Sequence, residues 1–224
     1  MTTPTNRVRT DFEAMYDQRF GGKEEYRRGV WRVLMSDFFR RYVLGSRAVL
    51  DLGSGYGEFI NQVQAPACYA IDLNPAAGRH LRPAVQWLQQ DSSQPWPLPD
   101  DTLDLVFTSN FLEHLPDEPS LLATLSEAYR CLRRGGRVVA LGPNITYAGD
   151  RYWDFPDHYL ALSDERLGAS LKSVGFTLDR VIPRFLPFTM SDGRRYPLFM
   201  VRLYLRMPIA WRLVGRQFLV VATK

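Results

Sequence analysis

The chain has 224 residues, of which 46% are hydrophobic, 13% aromatic and 23% charged, with a net charge of +4. That is enough apolar material for one sizeable core, and it excludes a disordered or fibrous chain. No run of about 18 apolar residues is free of charge, so no membrane-spanning helix is expected.

The positive charge is nearly all arginine, which reads as a solvated basic surface with a weak pull on anionic partners. Cys68 and Cys131 lie among apolar residues without a short spacing. They read as small buried hydrophobes and not as a disulfide or a zinc site. Met1 to Thr10 is polar, carries Arg7 and Arg9, and lacks the apolar core of a secretory signal. The expected compartment is the cytoplasm.

In chain order, an aromatic and basic helical region runs from about Asp11 to Tyr42, within an N-terminal helical cap over residues 1–45. Short apolar runs bounded by turn formers then read as buried strands: Ala48 to Leu52, Cys68 to Asp72, Val85 to Leu88 and Leu103 to Thr108. A helix follows, with Pro119 near its start and Leu121, Leu122, Leu125, Ala128 and Leu132 on its inner face. Gly135 and Gly136 lead into a fifth strand, Arg137 to Leu141. Ser163 caps a helix whose Leu167, Leu171 and Val174 recur at helical spacing, and Gly175 ends it. Phe176 to Ile182 and Gln217 to Thr223 are the sixth and seventh strands. The alternation predicts one α/β domain over 1–224: a Rossmann-like, mostly parallel sheet with helices on both faces. Residues 183–216 are an insertion before the last strand, expected to act as a lid or an interface.

The segment from Val49 to Gly57 joins the first strand to a predicted helix through Gly53, Ser54, Gly55, Tyr56 and Gly57. Glycines let the chain turn sharply and let a ligand approach the backbone. Glu58 stands where a dinucleotide fingerprint requires glycine, and no Gly-Lys-Ser/Thr follows. Asp51 just before the loop would repel a pyrophosphate. An acid beside such a loop suits a ligand with a cationic end and no phosphates, such as S-adenosylmethionine. Asp72 ends the second strand, where a carboxylate accepts from both ribose hydroxyls, and Leu73 follows it. Asp91 and Ser92 follow the third strand, where the acid can accept from an adenine amino group, with Trp87 and Leu88 supplying apolar surface nearby.

These segments, together with Asp100 to Val106, Asn110 to Leu115 and Leu132 to Arg137, resemble the cofactor motifs of class I methyltransferases. The resemblance runs from about Ala48 to Ile182 and is greatest to the branch that methylates small molecules such as ubiquinone precursors and sugars. It implies S-adenosylmethionine as cofactor, held by Gly53, Gly55, Asp72 and Asp91, and a seventh strand that runs antiparallel beside the sixth. Leu103 stands where an aromatic is common in that family. Residues 183–216 resemble a bacterial methyltransferase group associated with polysaccharide or natural-product pathways.

An alcohol acceptor must lose a proton, which calls for a base working near neutral pH. The histidines are His80, His114 and His158. His80 reads as a surface residue. His114 follows the fourth strand, where ligands bind in such sheets, and His158 lies in an aromatic, acid-rich loop. The expected base is His158, oriented by Asp154 or Asp157, with His114 and Glu113 beside it. Asn110 is read as a cofactor contact. Asn110, Glu113, His114 and His158 also resemble the Glu-x-x-Glu-His plus His metal set of some methyltransferases. Spacing of three and four would gather the first three on one helical turn. Asn110 replaces a carboxylate of that set, so no metal ligand is assigned.

The insertion interleaves Arg184, Arg194, Arg195, Arg202 and Arg206 with Phe185, Phe188, Tyr196, Phe199, Tyr204 and Trp211. It reads as a packed helix with a solvated arginine face, an acceptor lid, a homodimer surface, or a peripheral contact with anionic lipid or sugar phosphate. The leading reading is an enzyme that methylates an oxygen or nitrogen of a small molecule or sugar. The alternatives are an RNA- or protein-directed methyltransferase and a non-catalytic cofactor-binding partner. The nucleobase motifs Asn/Asp-Pro-Pro-Tyr and Pro-Cys are absent, which argues against nucleobase methylation of those types.

Overall fold

Seven strands pair into one sheet in the order β3-β2-β1-β4-β5-β7-β6. The structure is a computed structural model that describes residues 24–187 and 195–224. The expectations placed on Met1 to Lys23, and on Phe188 and Arg194, lie outside the described residues. The strands are β1 Ala48–Leu52, β2 Ala67–Asp72, β3 Val85–Gln89, β4 Leu103–Ser109, β5 Leu132–Pro143, β6 Thr177–Ile182 and β7 Gln217–Thr223. Strands β1 to β5 pair in parallel, and β7 runs antiparallel to both β5 and β6.

Alternate residues of each strand face opposite layers. Leu50, Leu52, Ile71, Val106 and Ala140 pack against helices α3 (Glu118–Cys131) and α5 (Asp164–Val174). Val49, Ala70, Leu105, Phe107 and Val139 pack against the N-terminal helix and the insertion. That N-terminal helix is α1 (Glu24–Leu34). It continues through a π-turn at Met35–Phe39 into α2 (Arg40–Val43). Local chemistry sets the helix ends. Asp117 caps α3 by accepting from Ser120 N, with Pro119 in the first turn. Ser163 caps α5 by accepting from Arg166 N, and Gly175 ends it at φ 118°. A short α4 (Ile145–Ala148) lies between β5 and α5.

Two expectations need correction. The glycine loop does not lead into a full helix, only into a single 3₁₀ turn at Ile60–Gln62. The Gln62 side-chain amide donates to Glu58 O at 2.6 Å, the carbonyl that an α-helix would give to the Gln62 backbone amide. That backbone amide donates to Phe59 O instead, and Pro66 stands just before β2. Strand β5 also begins at Leu132 and not at Arg137, so Gly135 and Gly136 lie inside it. Leu132 pairs with Leu103 across an irregularity between Leu103 and Leu105.

The insertion holds α6 (Leu198–Leu205) and α7 (Pro208–Val214). It is seated on the α1 layer by Phe185, which is fully buried with its ring 4.4 Å from Phe38 and 5.0 Å from Trp211. Asn144, also fully buried, fixes both ends of the insertion. Its amide nitrogen donates to Pro183 O at 3.0 Å, and its backbone amide donates to Arg216 O at 2.8 Å. A further donation from Asn144 reaches Asp164 Oδ1 at 2.7 Å, tying the insertion to the start of α5. Phe185→Ala should remove the plug of this layer and lower unfolding stability by about 3–5 kcal/mol in urea titration. A loss below about 1 kcal/mol would mean that the layer closes without Phe185.

Candidate functional site

The C-terminal ends of β1, β2, β4 and β5 form one rim, where ligands bind in open α/β sheets. The loop after β1 turns through Gly53, Gly55 and Gly57, all at positive φ. A Cβ on Gly53 would lie 2.3 Å from the Phe111 ring, so glycine is required there by packing as well as by backbone conformation. The loop amides point back into the fold. Gly53 N and Ser54 N donate to Ile71 O, and Gly55 N donates to Asp72 Oδ2 at 2.7 Å. A phosphate cradle needs such amides turned outward. This loop presents buried carboxylates, which suits a cation.

Asp51 is buried, and that burial pushes its carboxyl well above the usual range; the Ile60 backbone amide opposes this, while Glu58 and Asp72 add to it. Asp72 is also pushed up by burial, against the pull of the Asn74 and Gly55 amides and of His114. Two buried acids held above their ordinary pKa form a site that a sulfonium or ammonium group would relieve. Ser54 Oγ and Asn74 Nδ2 are buried beside them and lack a hydrogen-bond partner. The sequence did not single out Asn74, whose side-chain oxygen accepts from Ala76 N at 2.9 Å. Leu73 is 50% exposed beside Asp72, an apolar surface available to a flat ring.

The remaining candidates separate into two groups. Asp91 is exposed, and its Oδ1 accepts from the amide and hydroxyl of Ser93, both at 2.8 Å. Ser92 turns its hydroxyl inward to Thr124 Oγ1 at 3.0 Å, so the side chain expected to meet the cofactor is a core contact. His80 is exposed, as expected, and its ring stacks on Tyr56 with centroids 3.9 Å apart. Arg27 of α1, missed in the sequence, reaches the loop through an ion pair with Glu58 at 2.7 Å. A guanidinium placed there can hold a carboxylate. A cavity of about 600 Å³ opens beside it, between Glu24, Arg28 and Arg32 of α1 and Tyr56, Asn61 and His80.

Asn110 does not share a helical turn with Glu113 and His114, as the spacing suggested. It sits at φ 51°, a left-handed conformation that asparagine tolerates, and the 3₁₀ turn spans only Leu112–His114. Among the described residues, Glu113, His114 and His158 each bring a ligand atom within 4.8 Å of the others, without Asn110. Backbone contacts hold this cluster, since Glu113 O accepts from Tyr159 N and Leu160 N. The Tyr152 hydroxyl donates to Leu160 O and accepts from Leu162 N, which clamps the loop that carries His158.

Asp157 was expected to orient His158. It contacts His114. His114 Nδ1 lies 2.7 Å from Asp157 O and 3.3 Å from Asp157 Oδ2. A carbonyl only accepts, so Nδ1 carries a hydrogen and Nε2 is the basic atom. The His114 side chain is 24% exposed, whereas His158 is buried among Tyr152, Phe155 and His114. Asp154 is exposed.

Residues 50–140 match a family model described as a methyltransferase domain. A probable S-adenosylmethionine-dependent methyltransferase of Mycolicibacterium smegmatis is 30% identical over 146 residues, 62% of this chain and 55% of that protein. The chain therefore spans about half the length of that relative. A malonyl-acyl-carrier-protein O-methyltransferase of Halorhodospira halophila is 32% identical over 88 residues, 35% of this chain and 30% of that protein. A crystal structure of a methyltransferase from Archaeoglobus fulgidus has the same fold, with a TM-score of 0.67 at 22% identity over 95% of this chain and 99% of that one.

The raised pKa of Asp51 has a thermodynamic consequence. The folded chain binds its proton more tightly than the unfolded chain does, so Asp51 costs nothing at low pH and destabilises the fold as pH rises above about 4. Asp51→Asn should therefore make the ligand-free protein more stable than wild type at pH 7. The gap should close as the pH falls toward about 4. A variant less stable than wild type at neutral pH would show that an ionised Asp51 stabilises the fold.

Proposed function

We propose that this chain, whose residues 50–140 match a methyltransferase domain model, is an S-adenosylmethionine-dependent methyltransferase that transfers the cofactor's methyl group to an oxygen or nitrogen atom of a small molecule or glycoside. The observation that carries this reading is His114, partly exposed just past the C-terminal end of β4 with its Nδ1 anchored 2.7 Å from Asp157 O. A proton acceptor is thus offered on the same rim as Asp72, the acid suited to a ribose.

In this reading Asp72 accepts from the ribose hydroxyls with the lone pairs that Gly55 and Asn74 leave open. Leu73 covers one face of the adenine, and Asp91 with the Ser92 backbone meets its polar edge. Asp51, Gly53, Ser54, Gly55 and Tyr56 surround the cationic amino-acid end, and Arg27 takes its carboxylate. The bound sulfonium supplies an already activated methyl group, so alignment of the acceptor provides much of the rate. Asn110 lines the approach. His114 Nε2 removes the acceptor's proton, and Asp157 steadies the imidazolium that results. Glu113 and His158 stand behind His114 as charge and packing. Trp153 and Tyr159, 51% and 62% exposed on the same loop, offer aromatic faces to a sugar or ring.

A divalent ion on Glu113, His114 and His158 is a second reading, favoured by the 4.8 Å spacing of their ligand atoms. Under that reading a chelator reproduces the loss caused by mutating either histidine.

S-adenosylhomocysteine at a hundred times its Kd should stabilise the wild-type fold by about 2.7 kcal/mol, and NAD should not. Asp72→Ala should weaken that binding about a hundredfold, since charge-assisted hydrogen bonds contribute about 1.5–3 kcal/mol each. A thermal shift with NAD and none with S-adenosylhomocysteine would refute the cofactor assignment.

Once a hydroxyl acceptor is found with labelled methyl donor, His114→Ala should slow the single-turnover methyl transfer by about a hundredfold or more. Its affinity for S-adenosylhomocysteine should stay near wild type. His158→Ala should slow the same step less. Wild-type rates in His114→Ala would remove it as the base and leave alignment as the source of catalysis.

A further inference from the structure

Helices α6 and α7 bury little of what they carry. Their inward side chains are Tyr204, Leu205 and Trp211, packed on the α1 layer. The outward side chains are mostly apolar: Phe199 is 69% exposed, Leu203 56%, Ile209 75% and Leu213 71%. Phe199 and Leu203 are four residues apart, as are Ile209 and Leu213, so each pair shares one helical face. Single exposed apolar residues are ordinary, but a run of them on two successive helices marks an interaction surface.

The charge of the segment is one-sided. From Arg195 to Lys224 the sequence contains no Asp or Glu. Arg202 and Arg206 sit beside Phe199 and Leu203 on α6, and Arg212 precedes Leu213 on α7. Asp37 approaches Arg202 and Arg206 at 3.9 Å, yet their side chains remain 57% and 77% exposed. A second copy of this chain would set these arginines against each other. An anionic surface would pair with them.

The helices have eight and seven residues, roughly 12 and 10 Å at 1.5 Å per residue. That is far short of the roughly 30 Å hydrocarbon core, and no helix among the described residues is long and apolar enough to cross a membrane. A short basic helix pair with Phe, Leu and Ile outward suits the plane of the headgroups.

We propose that α6 and α7 dock this protein onto the surface of an anionic lipid bilayer. Phe199, Leu203, Ile209 and Leu213 enter the acyl boundary, and Arg202, Arg206 and Arg212 meet the lipid phosphates. The insertion leaves the sheet after Ile182 and returns at Gln217, which pairs with Pro143 at the C-terminal end of β5. Docking therefore holds the rim that carries Asp72 and His114 on the bilayer side, within reach of an acceptor anchored in lipid. The inference goes beyond the proposed function and does not rest on it, because lipid binding is measured without turnover.

The test uses the full chain in co-sedimentation with vesicles. One set is phosphatidylcholine alone, and the other an equimolar mixture of phosphatidylcholine and phosphatidylglycerol. The protein should sediment with the mixed vesicles only, and rising salt should release it. The double variant Ile209→Ser with Leu213→Ser should bind the mixed vesicles at least about tenfold more weakly. Arg202→Gln with Arg206→Gln should cost about fivefold per arginine. S-adenosylhomocysteine affinity should be unchanged in both variants, which separates lost docking from lost folding. Absence of vesicle binding would overturn the proposal. So would binding that neither double variant weakens, or a dimer in ultracentrifugation that the Ile209/Leu213 variant dissociates.

Discussion

The direction of β7 constrains everything on the ligand rim. A parallel strand after β6 would have required a crossover along the length of the sheet. Strand β7 instead runs antiparallel between β5 and β6, so it is entered from the end where β6 stops. The insertion therefore leaves and re-enters the sheet at the end that carries Asp72, Asn110 and the histidine cluster. Asn144 fastens both ends of that segment, and Phe185 seats it.

The glycine loop shows how the same motif can serve opposite charges. In phosphate sites, glycines free the backbone amides to point at the ligand. Here the amides of Gly53, Ser54 and Gly55 are turned back onto Ile71 and Asp72. What faces the ligand is then set by Asp51 and Asp72, both held above their ordinary pKa by burial. Ionised and unpaired, such acids are unfavourable in the empty fold. A cationic ligand would reverse that balance, and a pyrophosphate would not.

The histidine cluster illustrates a different point. Sequence context made His158 the more attractive base because acids and aromatics surround it. The same aromatics bury it, and the neighbouring acid turns to His114. A base must be reached by its acceptor as well as oriented. His114 is partly exposed and anchored on Asp157, whereas His158 is buried.

The sequence by itself determined the strands, because each is a short apolar run closed by turn formers, and Gln217–Thr223 appears at its expected bounds. It also determined the helix ends at Ser163 and Gly175, where capping is a local interaction of a few residues. The acids at the ends of β1 and β2 were legible for the same reason, since a strand end is a local feature. What lay beyond the sequence depended on contacts between distant segments. The shortened helix after the glycine loop is the local exception, where the Gln62 side chain takes the Glu58 carbonyl four residues away. Only the tertiary fold brings Arg27 to Glu58 and Asp157 to His114. The inward turn of Ser92 toward Thr124 crosses 32 residues, and no local pattern encodes it. Periodicity reports which face of an element is apolar, whereas the partner of a polar side chain is settled by the packing of the whole chain.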